Sequence, residues 1–100
     1  MRTIVLDGSS WSAPLDFWYA LREALGVVPG HGTGFDAFED SVFYHPDMLC
    51  VRPPFTVIVQ NPPPTARSDI EQMAEGWAFQ RQWRKENYGD DVEALIVVTP

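Results

Sequence analysis

Three acidic side chains stand within five positions of this sequence, at Asp36, Glu39 and Asp40. Closely spaced carboxylates can transfer protons, bind a metal ion or attract a cationic partner. On a helix, the spacing of four residues puts Asp36 and Asp40 on one face, where their repulsion costs about 0.2–0.5 kcal/mol. No lysine or arginine stands nearby in the sequence to offset that cost. The cluster therefore needs a structural or a functional explanation.

A helix N-terminus explains part of the cluster. Thr33 is expected to cap a helix, and Asp36, three residues later, would face the free N–H groups and the positive end of the helix dipole. Glu39 is only partly explained in this way, and Asp40 lies a turn further along. Structural and functional explanations both stay open, and Asp40 is the residue that separates them.

Catalytic and metal-binding uses of the acids are alternatives. The side chains that could form a metal site are His31, Asp36, Asp40, His45, Asp47 and Cys50. No pair among them has a recognised ligand spacing such as HExxH or CxxC, and no serine, histidine or cysteine motif is focused on the acids. We therefore expect no metal, no cofactor and no enzymatic activity, while an enzyme that uses the acids or a metal remains the rival hypothesis.

The glycines at 30, 32 and 34 precede the same helix, as in loops that bind phosphate. The run has no Walker lysine, it does not complete GxGxxG, and the acids that follow would repel phosphate. We expect these glycines to turn the chain.

Composition limits the remaining possibilities. The 100 residues fit one domain over positions 1–100, and 45% apolar residues can form its core. The net charge of −7 argues against nucleic-acid binding and permits a basic protein partner. No apolar run reaches the length of about 18 residues that a membrane span needs, and the N-terminus predicts a strand rather than a signal peptide. The single cysteine, Cys50, is expected to be buried, in a cytoplasmic protein.

The hydrophobic pattern predicts an α/β fold with a small three-stranded parallel sheet. The predicted elements follow in chain order. They are a strand at 3–6, whose continuous apolar run suits a strand covered on both faces or one in a parallel sheet, a helix capped by Ser12 that runs to about Leu25, a helix capped by Thr33 that ends before Pro46, a strand at 55–59, a helix from 68 or 69 to about 87, and a strand at 94–98. The first helix carries an apolar stripe at Leu15, Trp18, Leu21 and Leu25, which Phe17 and Ala24 widen.

The longest predicted helix has an ambiguous pattern. Ile70, Met73 and Trp77 lie on one face, while Phe79 and Trp83 point away from it. Either the helix contacts two surfaces or its buried face changes near Gly76. The charged residues between 81 and 86 are interpreted as solvated surface.

The segment Gly34-Phe35-Asp36-Ala37-Phe38-Glu39-Asp40 resembles the recognition helix of the barstar family, intracellular inhibitors of barnase-type ribonucleases. The opening TIVLDG, the following LDFWYALREALGV, Pro53-Pro54 before the second strand and the terminal ALIVV are similar to that family in the same order. The resemblance implies three parallel strands packed with helices, in a protein that is a monomer when free.

The resemblance also implies a partner, a basic secreted ribonuclease or toxin whose active site the loop and second helix would block. Asp36 and Asp40 would meet its arginines and catalytic histidine, with Asp40 in place of a substrate phosphate. The implied partner-binding residues are His31, Gly32, Gly34, Asp36, Glu39, Asp40, Phe43 and Tyr44.

The sequence departs from the family at specific positions. Gly30 and His31 stand where the family has a loop tyrosine, Glu39 stands where it has a tryptophan, and a later glutamate of the family has no safe equivalent. The alternative function is therefore an interaction module of the same fold that binds a toxin other than a ribonuclease or regulates another protein.

Overall fold

The structure is a computed structural model that describes all residues 1–100. Its helices and strands follow the predicted order. They are β1 (Arg2–Asp7), α1 (Pro14–Leu25), α2 (Phe35–Phe43), a short 3₁₀ helix (Pro46–Met48), β2 (Phe55–Gln60), α3 (Pro64–Tyr88) and β3 (Ala94–Thr99). No helix combines the length and the apolar character that crossing a membrane requires.

The three strands form one parallel sheet in the order β1-β2-β3, which confirms the predicted α/β fold class. Right-handed crossovers that step twice in the same direction place their helices on one face of the sheet. Accordingly, Leu6, Val57 and Ile96 are buried on that face, whereas Val5 and Val97, on the opposite face, are 54% and 42% exposed. Of the two alternatives for the first strand, its place in a parallel sheet is confirmed, and its coverage on both faces is not found.

α1 lies over this sheet through a slightly different stripe from the predicted one. Phe17, Trp18, Leu21 and Leu25 are buried, but Leu15 is 47% exposed because it lies at the margin of that face.

The start of α1 also differs from the prediction. Ala13, not Ser12, is the N-cap residue. The Asp16 carboxylate accepts hydrogen bonds from the backbone N–H groups of Ser12 and Ala13, at 2.8 and 3.1 Å. These bonds lower the pKa of Asp16, because they stabilise its charged form.

α3 starts at Pro64, four or five residues before the predicted position. Proline fits the first helical position because its missing N–H would have no partner there. The helix keeps one buried face through Ile70, Met73 and Trp77, and Phe79 remains 63% exposed. The buried face of α3 therefore does not shift to the Phe79 side beyond Gly76.

Cys50 is exposed, contrary to the prediction. Its backbone N–H donates to the carbonyl oxygens of Leu25 and Gly26 at the end of α1, at 3.1 and 2.9 Å. These backbone bonds hold the segment on the outside of the core, so the thiol does not act as a buried apolar group.

Candidate functional site

α2 carries the acidic cluster and begins directly after Gly34. Gly34 has φ = +126°, a backbone conformation that favours glycine, and no side chain caps the helix. The predicted capping by Thr33 is therefore wrong, and Asp36 is the second helical residue. Asp36 still lies in the first turn, where the helix dipole favours a negative charge.

The three acids open onto one surface, whereas the helical spacing predicts a shared face only for Asp36 and Asp40. Asp36 and Asp40 are exposed and Glu39 is half-buried. Together with Tyr44 at the end of α2 and Gln80 on α3, they line a shallow depression. We call this surface the acidic depression.

Glu39 lies between the two helices. A Cβ atom added to Gly76 of α3 would overlap with Glu39 Oε1, so the glycine makes room for this carboxylate. Partial burial raises the pKa of Glu39, a side-chain hydrogen bond with Gln80 lowers it in part, and the nearby Asp36 charge raises it. The structure therefore disfavours the ionised form of Glu39 in the free protein.

Asp40 has one possible partner within its own chain. Its Oδ1 is 3.8 Å from Nε2 of His45, and both side chains are 58% exposed. His45 carries a charge only when protonated, and water screens a pair this exposed. No lysine or arginine of the chain forms an ion pair with Asp40.

His31 is not available to a partner, contrary to the prediction, because it is only 4% exposed. Its Nδ1 lies 2.6 Å from the Gly32 carbonyl oxygen and its Nε2 lies 2.9 Å from the buried Ser41 hydroxyl of α2. The ring also packs against Phe38 at a centroid distance of 5.0 Å. His31 therefore fastens the loop to α2, while Gly32 is exposed and Gly34 forms the turn.

The two aromatic residues at the end of α2 have different environments. Phe43, which the sequence predicts to contact a partner, is 2% exposed and packs edge-on against Trp77 at a centroid distance of 6.0 Å, so the free protein does not present its ring on the surface. Tyr44 is half-buried, and its hydroxyl donates to Gln80 Oε1 at 2.7 Å. Sequence reasoning missed Gln80, and only the helix-interior Gly76 signals the close approach of α2 and α3.

Arg84 joins the ends of α2 and α3, so its interpretation as solvated surface is wrong. Its guanidinium donates to the Phe43 carbonyl oxygen at 2.7 Å and forms two bonds to the Asp90 carboxylate, at 3.0 and 2.6 Å. It also lies over the rings of Tyr44 and Tyr88, about 5 Å from each centroid. The hydrogen bond to Arg84 lowers the pKa of Asp90.

The candidate metal ligands are not brought together. No group of three histidine, cysteine, aspartate or glutamate side chains is arranged to hold a metal ion.

Comparison of the sequence with protein-family models and with curated proteins found no match. The resemblance to the barstar family therefore rests on the quoted segments and their order, and the function that it implies remains a prediction.

Proposed function

We propose that this protein is a barstar-like inhibitor that binds the basic active site of a barnase-type ribonuclease, and that it is not an enzyme. One observation carries this proposal: Asp36 and Asp40 are exposed on neighbouring turns of α2, and no lysine or arginine of the chain pairs with either. A site that binds RNA phosphate supplies the missing cations. Such an inhibitor would act in the cytoplasm, on an enzyme destined for secretion.

Electrostatics supports this choice of partner. The chain has a net charge of −7, and an acidic surface accelerates its encounter with a basic one. Arginine can then bind a carboxylate through two parallel hydrogen bonds, which strengthens the pair once water is excluded. The like-charge repulsion within the cluster is relieved only in the complex.

The loop that precedes α2 supports the proposal in a second way. His31 holds this loop against Ser41 of α2, and Gly32 is left exposed beside the acids. A loop that is already ordered loses less conformational entropy on binding, so more of the interaction energy appears as affinity.

The direct test is inhibition of a guanyl-specific microbial ribonuclease by the wild type and by Asp40→Ala. We expect inhibition by the wild type and a loss of at least tenfold in the variant, because the enzyme's cation is left buried without a partner. Glu23→Gln is the matched control, since it removes one exposed charge from α1. Absent inhibition by the wild type, or equal inhibition by Asp40→Ala, would contradict the proposal.

A second candidate is the same surface directed at a basic toxin that is not a ribonuclease. The burial of His31, which stands where the barstar family has a tyrosine, favours it, because the loop then offers no exposed aromatic anchor. Purified protein that captures a basic toxin encoded beside it, without inhibiting ribonuclease, would select this candidate.

A further inference from the structure

Two large aromatic side chains stand exposed on the second half of α3, next to the acidic depression. Phe79 is 63% exposed and Trp83 is 37% exposed. Their spacing of four residues puts them on one face of the helix. We call Phe79, Trp83 and the adjoining Tyr44 the aromatic ridge.

The ridge is fixed in place at one end. The Trp83 ring lies edge-on to Tyr44 at a centroid distance of 6.5 Å and to Tyr88 at 5.4 Å. Arg84 lies over both tyrosine rings and is itself bonded to Asp90. Trp83 is therefore held in an ordered surface, which lowers the entropy lost when it contacts another molecule.

Phe79, in contrast to Trp83, has no aromatic partner within the chain. It lies one turn before Trp83 and next to Gln80, and no other aromatic ring stacks on it. Phe79 is not part of the hydrophobic core, and aromatic side chains are enriched at protein interfaces.

The ridge is continuous with the acidic depression. Tyr44 belongs to both, since it lines the depression and contacts the Trp83 ring. Gln80 lines the depression and is hydrogen-bonded to Tyr44. A molecule bound at Asp36 and Asp40 would therefore also reach the ridge, by way of Tyr44.

We propose that the aromatic ridge is the second half of the partner-binding surface and contacts an apolar patch beside the partner's cationic site. This inference rests on the proposed function. Charge complementarity identifies the occupant: the acids select a basic protein, and the ridge, which adjoins them, contacts the same molecule. The ridge supplies aromatic anchors that the loop and Glu39 do not offer in this chain.

The test measures the binding of a guanyl-specific microbial ribonuclease to the wild type, Phe79→Ala and Trp83→Ala. We expect each variant to lose about tenfold or more in affinity, mainly through faster dissociation, with the salt dependence of association unchanged. Val5→Thr is the control, because Val5 is equally apolar and 54% exposed on the uncovered face of the sheet. It should bind like the wild type.

The binding of the wild type tests the proposed function, and the binding of Phe79→Ala relative to it tests the role of the ridge. If the wild type binds and Phe79→Ala binds within about twofold of it, the ridge is not part of the interface and the proposed function stands. If the wild type does not bind the ribonuclease, both fail together. Phe79→Ala is the decisive variant, since its exposed ring contributes nothing to the core.

Discussion

The carboxylate of Glu39 on α2 lies against the backbone of α3 at Gly76, in space that a Cβ atom would otherwise occupy. Gln80, one turn further along α3, lines the same depression and accepts a hydrogen bond from the Tyr44 hydroxyl at 2.7 Å. Glu39 thus belongs to α2 but is positioned by its contacts with α3. Asp36 and Asp40 face solvent, and Glu39 is withdrawn from it.

Gly76→Ala is expected to stabilise the fold while displacing Glu39. Glycine inside a helix costs roughly 0.5–1 kcal/mol relative to alanine, and the atom that blocks the new methyl group is the end of a flexible side chain. Urea denaturation should give a higher free energy of unfolding for Gly76→Ala than for the wild type. Gly89→Ala is the control and should be destabilising, because Gly89 has φ = +75°. A loss of stability in Gly76→Ala would mean that Glu39 is held rigidly.

The raised pKa of Glu39 makes stability depend on pH. A carboxyl group with a raised pKa in the folded state adds stability below its unfolded value, and this contribution is lost as pH rises through the folded value. Glu39→Gln cannot ionise. Comparing urea midpoints from about pH 4 to about pH 7, we expect the wild type to lose stability relative to this variant. Parallel pH profiles for the two proteins would contradict the burial of Glu39.

Asp40→Asn is expected to slow association with the ribonuclease and to weaken its salt dependence. Exposed charges steer the encounter, and salt screens them over about 10 Å at 0.1 M ionic strength. Stopped-flow association rates at several salt concentrations measure both effects. Glu23→Gln carries the same change in net charge on α1 and should have a smaller effect. An association rate of the wild type that does not change with salt would exclude steering.

His31→Ala is expected to destabilise the fold by about 1–3 kcal/mol, because it leaves the buried Ser41 hydroxyl without its imidazole partner. His45→Ala is the matched control and should change stability by less than about 0.5 kcal/mol, since His45 is 58% exposed. Chemical denaturation of the two variants makes the comparison. Equal effects would mean that His31 does not fasten the loop.

Arg84→Lys is expected to lower the free energy of unfolding measured by urea denaturation, because an ammonium group cannot donate to the Phe43 carbonyl and to both Asp90 oxygens in one plane. Arg67→Lys is the control and should be nearly neutral, since its pair with Glu71 is exposed and 3.7 Å long.

The same Arg84 contact predicts an effect of acid. The pKa of Asp90 is lowered in the fold, so its contribution to stability is present above the usual aspartate range and is lost as pH falls through the folded value. When thermal unfolding is measured at decreasing pH, the melting temperature of Arg84→Lys should fall less than that of the wild type.

Local patterns in the sequence were sufficient for the element order. The β-favouring runs at 55–59 and 94–98 and the stripe through Trp18, Leu21 and Leu25 depend on near neighbours, so they predict a strand or a helix directly. Capping was less predictable. Several polar residues compete for the same N–H groups, and at α1 the Asp16 carboxylate accepts the bonds expected of Ser12.

The order of residue types along the chain is enough to predict the acidic cluster, its place on α2 and the parallel α/β fold. Which candidate residues reach the surface depends on how the elements pack together. His31 and Phe43 look available in the sequence, but the loop and the end of α2 bury them against Ser41 and Trp77. Exposure of this kind depends on contacts between residues far apart in the chain, which the spacing of residues along the sequence does not encode.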